Sequence, residues 1–363
     1  MNFKRFGTVG AIALAGTILL SSCAANEETP AESPAASDLS GVLVGAGASS
    51  QGSAQELWIA AFQTANPDVD ITYDPTGSGA GRETFIGGGS DFAGSDSALS
   101  EDEIAGGFAS CVPDTGYIQV PAFIDPIAVI FNVEGVDELN LDAATLAKIF
   151  KGEITSWDDP AIAALNEGTT FPSATITAVH RSDDSGTTKN FADYLNKVAP
   201  EVWDAAPADP FPYATGEGAQ GTSGVVDAVT NGTNTIGYAA AGKINDLSSA
   251  SIKVGDEFVA YSAEGAASVV DGSPAGATNN GTTDLSIKLD RATTDTTQYP
   301  LVLVSYLIAC NEYENADVAP LVSAYLTYVT SQDGQAVAAE EAGAAPLSSE
   351  LSDKIATALS AIK

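Results

Sequence analysis

Positive charge is scarce in this chain. Of 363 residues only 14 are Lys or Arg, against 48 Asp and Glu, and the formal net charge is −34. Phosphate backbones and anionic bilayers are bound through clustered basic side chains, so nucleic acid and a polybasic membrane contact are excluded as partners. Small anions are not excluded. A few aimed N–H and O–H donors outweigh a diffuse field that is screened beyond about 8 Å at physiological salt. Histidine is rarer still: His180 stands alone. No HExxH, no paired CxxC and no GxSxG occurs, so no metal site or cofactor is expected. A Ser-His-Asp triad would have to use His180, which sits at a strand end beside Arg181, where a structural role fits better. No GxxxxGK[ST] occurs either, and GSGAG at 77–81 lacks the GxGxxG spacing, which leaves nucleotide binding weakly supported. The apolar run at 7–20 is too short to span a bilayer.

That run is nevertheless the first positive signal. Lys4 and Arg5 precede it and Leu20-Ser21-Ser22-Cys23 closes it. The arrangement resembles the signal peptide and lipobox of bacterial lipoproteins. The resemblance implies that residues 1–22 are removed and that Cys23 takes a diacylglycerol, with acyl chains such as palmitate, and becomes the anchored N-terminus. A short signal-anchor helix with an incidental cysteine is the alternative. Residues 23–37 are polar, contain Pro and lack periodicity, as a flexible tether should. Export would leave Cys111 and Cys310 in an oxidising space, where two thiols are expected to pair; two buried free thiols are the alternative.

From Gly41 onward, short apolar strands alternate with amphipathic helices. Strands are expected at 42–44, 69–73, 117–124, 127–133, 175–180, 235–239 and 300–308. Helices are expected at 54–65, around 82–86, at 142–150 and 187–197, and along the C-terminus. Ser100-Glu101-Asp102-Glu103 reads as a capping box. The alternation indicates an α/β fold with a largely parallel sheet. Residues 262–298, rich in Gly, Ser, Thr, Asn and Asp, read as an extended loop region.

Three times a strand runs into a turn of Gly, Ser and Thr that opens a helix: GAGASSQGS at 45–53, TGSGAG at 76–81 and DDSGTT at 183–188. Each turn offers hydroxyls and unpaired N–H groups at the positive end of a helix, a geometry that binds anions without net charge. Any single turn is better explained by ordinary helix capping. Three at strand C-terminal ends favour a ligand, because open α/β sheets collect ligands there. Arg181 would add a formal charge and a fork of donors for a tetrahedral oxyanion, and Asp183 is spaced to orient that fork.

In order, Gly45-Ala46-Gly47-Ala48-Ser49, Gly77-Ser78-Gly79-Ala80-Gly81, Asp91-Phe92-Ala93-Gly94-Ser95-Asp96 and Arg181-Ser182-Asp183-Asp184-Ser185-Gly186-Thr187 resemble the ligand-binding motifs of bacterial phosphate-binding proteins, the substrate-binding lipoproteins of the phosphate ABC importer. Lys151 to Asp159 and Asn234 to Tyr238 extend the likeness, which spans about 41–345. The resemblance implies that Ser49 and Ser78 donate to inorganic phosphate, with the Ser50 N–H beside them. Arg181 would pair with its oxygens, Ser185, Gly186 and Thr187 would donate from a third helix end, and Asp183 would support Arg181. Asp96 would accept a hydrogen bond from a protonated ligand oxygen. An ionised carboxylate only accepts, so against fully deprotonated sulfate it would be unpaired and repelled, at a cost on the order of several kcal/mol in a dry pocket. Arsenate, protonated like phosphate, would be rejected far less. Relatives often carry Thr-Phe where this chain has Ser49-Ser50, so an apolar wall over the site is missing.

The fold implied is that of a periplasmic binding protein: two α/β lobes joined by two crossovers, with the ligand in the cleft. Lobe I would combine residues 38–123 with 300–363 and lobe II would be 124–299, which puts Cys111 and Cys310 in one lobe. The function implied is an extracytoplasmic, monomeric receptor, anchored to the cell membrane through Cys23, that delivers phosphate to the permease subunits of the importer. The alternatives are a secreted phosphatase-like hydrolase using Ser185 or Ser49 as nucleophile, and a binding lipoprotein for another oxyanion.

Overall fold

The computed structural model describes residues 39–345 and 347–363. The expected leader, Cys23 and the tether at 23–37 lie outside the described residues.

Among the described residues, twelve strands and eleven α-helices follow one another from Gly41. The first half holds β1 (Gly41–Gly47), α1 (Gly52–Ala65), β2 (Val69–Asp74), α2 (Ser78–Ile86), β3 (Phe92–Ser95), α3 (Glu101–Gly106) and β4 (Tyr117–Asn132). Next come β5 (Asn140–Leu141), α4 (Ala143–Phe150), α5 (Pro160–Leu165), β6 (Thr177–Arg181), α6 (Gly186–Val198), β7 (Glu217–Ala219), α7 (Gly221–Asn231) and β8 (Thr235–Ala240). The chain ends with β9 (Ser248–Ser249), β10 (Ser251–Val254), β11 (Glu257–Val259), α8 (Ala263–Gly272), β12 (Val302–Cys310), α9 (Ala319–Thr330), α10 (Gln332–Ala342) and α11 (Ser349–Leu359).

The main sheet runs β2-β1-β3-β12-β4-β8-β6-β7. Its two flanks are parallel, as the alternation of strands and helices predicts: β1 with β2 and β3, and β6 with β7 and β8. Its centre is antiparallel, through β3–β12, β12–β4 and β4–β8. The sheet is therefore mixed rather than largely parallel. The reason lies in β4, one continuous 16-residue strand where the sequence suggests two. Pro121 and Pro126, which break a ladder because they carry no N–H, are accommodated in it. Pro121 sits beside a register shift at Ser305/Tyr306, and Pro126 ends the pairing with β12, after which Ile127 to Asn132 pair with β8.

Among the described residues three apolar clusters pack on the two faces of this sheet. One gathers Leu43, Trp58, Phe85, Phe92, Val120, Leu307 and Tyr325. A second gathers Phe131, Leu146, Phe150, Trp157, Phe191, Trp203 and Tyr238, and a smaller third packs α7 against β8. One expected boundary is corrected here. Residues 262–298 are not all loop: Ser262 caps α8 by accepting the Gly265 N–H, and Ala266, Val269 and Val270 give that helix a buried face. That face packs in the first cluster, with Leu285, although the sequence reading places the segment in lobe II. Small Gly, Ala and Ser residues disguise its period. Cys111 and Cys310, 199 positions apart, form a disulfide with a Cα–Cα distance of 5.2 Å. Among the described residues no helix is long and apolar enough to cross a membrane.

Candidate functional site

Parallel strands end on the same side of a sheet, so the chain leaving β1 and β3 emerges together; Gly47 is in register with Gly94. The turn after β1 forms a 3-10 helix, Ser49–Gln51, leading into α1. Gly77, at φ +109°, turns the chain into α2, a conformation glycine adopts without a Cβ penalty. Ser185, in extended conformation, caps α6 by accepting the Thr188 N–H at 3.2 Å. The first N–H groups of each helix have no acceptor within it.

The three turns that the sequence singles out meet. The Gly79 N–H donates to the Asp184 carbonyl at 3.0 Å. A Cβ on Gly186 would stand 2.6 Å from Ser78 Oγ and 2.7 Å from the Asp96 Cβ, so only glycine permits this approach. Arg181, at the end of β6, is 3% exposed. Its Nε donates to Asp183 Oδ1 at 2.7 Å and its Nη2 to Asp183 Oδ2, two of the five N–H groups of the guanidinium. Asp183 Oδ1 also accepts the Gly221 N–H at 2.9 Å. Burial pushes the Asp183 carboxyl up, but the bonds and charge of Arg181 outweigh it and hold it below its usual range.

Asp96 is buried at 3% exposure. Ser50 Oγ lies 2.7 Å from both of its carboxylate oxygens, Ser305 Oγ donates to Oδ1 at 2.7 Å, and Thr187 Oγ1 donates to Oδ2 at 3.0 Å. Burial raises its pKa, and the bonds from Ser305, Ser50 and Thr187 and the charge of Arg181 pull the other way; the net direction is up. A carboxylate has about four acceptor positions. Three hydroxyls leave one.

The residues expected to face the anion are thus near one another, with two differences of detail. Ser50 contributes a hydroxyl to Asp96, a role the missing aromatic opens and the sequence reading did not assign. The Thr187 hydroxyl is also spent on Asp96, so its N–H, at the first turn of α6, is what it has left to offer. The structure adds partners that the sequence reading missed. Thr222, at the start of α7, donates its N–H to Ser49 Oγ at 3.0 Å, with its own Oγ1 3.1 Å away. An accepted N–H leaves the Ser49 hydroxyl proton to point elsewhere. The Gly-Thr-Ser-Gly stretch at 221–224 after β7 repeats the strand–turn–helix composition of the other three turns, and that was its signal. Ser305 was signalled as the one serine in the apolar strand VLVSYLIAC. Asn190 donates to the Asp96 carbonyl at 2.7 Å. His180 stacks on Phe211 at 4.0 Å with Nδ1 2.8 Å from the Arg181 carbonyl, so its ring is engaged away from Ser185 and Ser49.

Residues 28–333 match a family described as a PBP superfamily domain. Along the full length of both chains, the sequence is 34% identical to phosphate-binding protein PstS 3 of Mycobacterium tuberculosis and 31% identical to PstS 2 of the same organism. The chain belongs to the PstS family of phosphate-binding proteins. Solved structures agree on the fold. PfluDING, a high-affinity periplasmic phosphate-binding protein with phosphate bound, aligns with a TM-score of 0.70 at 23% identity, covering 87% of this chain and 93% of that one. A putative phosphate ABC transporter substrate-binding protein from Clostridium perfringens, also with bound phosphate, aligns at 0.60 and 19%, covering 85% and 100%. The fold is that of the periplasmic binding proteins, two α/β lobes joined by two crossovers.

Proposed function

We propose that this chain is an extracytoplasmic receptor that captures inorganic phosphate and hands it to an ABC permease. The observation that carries the reading is the convergence of three helix N-termini, buried Arg181 and buried Asp96 on one spot. Ser49, Ser50, Ser78, Ser185, Gly186 and Thr187 supply hydroxyl and N–H donors from the helix ends, and Arg181, aimed by Asp183, supplies the single formal charge. Such an array stabilises an anion through fixed dipoles, which suits a chain that is otherwise strongly acidic. The fourth acceptor position of Asp96 takes the proton of the ligand. A ligand without a proton leaves that carboxylate facing a like charge.

Lobe I comprises 38–123 and 300–363, with α8 packed against it, and the second lobe the remainder of 124–299. Closure of the two orders the turns around the anion and removes it from water. The protein acts as a monomer tethered to the cell membrane through lipidated Cys23. Titration calorimetry with phosphate, arsenate and sulfate tests the reading. Phosphate is expected to bind tightly, arsenate somewhat more weakly, and sulfate not measurably; sulfate bound as well as phosphate would refute the role of Asp96. Mass spectrometry of the membrane-extracted protein tests the anchor, through an acylated peptide that begins at Cys23.

A further inference from the structure

Arg82 is a cation that the anion site does not use. It lies in α2, four residues after Ser78, and is 5% exposed. Nε donates to Glu103 Oε1 at 2.8 Å, and Nη1 donates to Ser95 Oγ at 3.0 Å and to Ser97 Oγ at 2.8 Å. These three partners belong to the same half of the molecule as α2. The remaining contact crosses over: Nη2 donates to Asp209 Oδ2 at 2.6 Å. Asp209 comes from a segment whose Phe211 and Tyr213 pack on the second apolar cluster, whereas Phe85, next to Arg82 in α2, belongs to the first.

Both ends of this ion pair adjoin the anion site. Ser95 and Ser97 flank Asp96 in the chain. Asp209 accepts the Ser97 hydroxyl at 3.2 Å through Oδ1, and through its carbonyl it accepts the N–H of Ser185, the cap of α6, at 3.0 Å. Burial opposes the charge on Arg82, and the charges of Asp209 and Glu103 outweigh it, so its pKa is raised.

We propose that Arg82–Asp209 is the latch of the cleft, an ion pair made on closure that sets how long a captured anion is held. The inference rests on the phosphate reading for its ligand only. Opening the cleft rehydrates both charges, so the intact pair adds modestly to the closed state. Removing one partner is different: Arg82→Met leaves the Asp209 carboxylate without its cation on closure, and Asp209→Asn leaves Arg82 with Glu103 as its one remaining countercharge, so each penalises the closed form and speeds release. Capture, governed by encounter with the open cleft, changes little. Arg82 and Asp209 are positioning residues, since neither is assigned to the anion.

The test uses the full chain in detergent with Arg82→Met, Asp209→Asn and the double variant. Stopped-flow measurement should give phosphate release accelerated at least about tenfold in each single variant, with association within a few-fold of wild type. The double variant should be no faster than the worse single, the signature of one shared interaction. Hydrogen exchange at Gly79, whose N–H is bonded across to Asp184, should quicken in all three. The ligand-free unfolding temperature should stay near wild type in Asp209→Asn, whereas Arg82→Met also loses Glu103, Ser95 and Ser97 and should unfold earlier. Release within about twofold of wild type, or a loss confined to ligand-free stability, would overturn the latch and leave an ordinary structural pair. If the wild-type protein gives no phosphate binding in the calorimeter, the functional reading fails, and the latch stands or falls on Gly79 exchange alone: unchanged exchange in the variants defeats it.

Discussion

In the proposed site the selecting residue is Asp96, and its surroundings set its chemistry in a testable direction. Its pKa is raised above the ordinary 3.8, chiefly by burial. Because the folded value exceeds the unfolded one, this group favours the fold most at pH below the unfolded value and loses that contribution as pH rises through the folded one. Asp96→Asn is therefore expected to unfold no earlier than wild type at neutral pH in a thermal scan without ligand. It should also bind sulfate, since the amide offers an N–H where the carboxylate offers only repulsion. Wild type should acquire the same laxity when acidified through the raised Asp96 pKa, where the protonated carboxyl becomes a donor. A pH series of sulfate competition titrations checks this; sulfate excluded equally at every pH would defeat it. Ser50 belongs to the same argument. Removing its hydroxyl in Ser50→Ala deprives a buried carboxylate of one donor, worth about 1.5–3 kcal/mol for a charged acceptor. Phosphate binding should weaken about tenfold or more, with the acid limb of the binding profile moved to higher pH.

At the scale of elements, the site is made by helix ends brought face to face, and glycine sets how closely. Gly186→Ala would push a methyl into Ser78 Oγ and Asp96 Cβ. It is expected to abolish high-affinity binding while leaving the fold intact, whereas Gly106→Ala, with open space around it, is expected to bind as wild type. Calorimetry on the two variants decides the matter; undiminished affinity in Gly186→Ala would mean that the turns need not approach. This scale also separates what was legible in the sequence from what was not. The turns around Ser49, Ser78 and Ser185 were readable because each is a local pattern, a strand followed by hydroxyls and a helix. The contacts of Ser49 with Thr222, Ser305 with Asp96 and Arg82 with Asp209 span 173, 209 and 127 positions and obey no local period. The continuity of β4 was hidden by its prolines, which only the bulge in β12 and a change of partner strand make tolerable. Helix α8 was hidden by small residues whose burial depends on a cluster formed elsewhere.

For the molecule as a whole, Cys111–Cys310 ties the segment before β4 to the end of β12. A native bridge closing a long loop typically contributes about 2–5 kcal/mol. Reduction is expected to lower the denaturation midpoint and to steepen the slope, because the unfolded chain expands, and to leave phosphate affinity in native buffer close to wild type, because neither cysteine touches the proposed site. An identical midpoint with and without reductant would mean that the bridge adds nothing to stability.

Where the chain passes between the halves, β4 and the approach to β12 lie edge to edge. The Ile127 N–H donates to the Leu301 carbonyl at 2.8 Å, and the Tyr299 hydroxyl donates to the Ile127 carbonyl at 2.9 Å. A single connecting strand could swivel about its own axis; two strands laced together can flex across their width but resist rotation about their length. The halves are left with one soft coordinate. If the lobes close as proposed, each reclosing would retrace the same arc and return Gly186 to Ser78, so that the entropy of assembling the site is largely removed before any anion arrives.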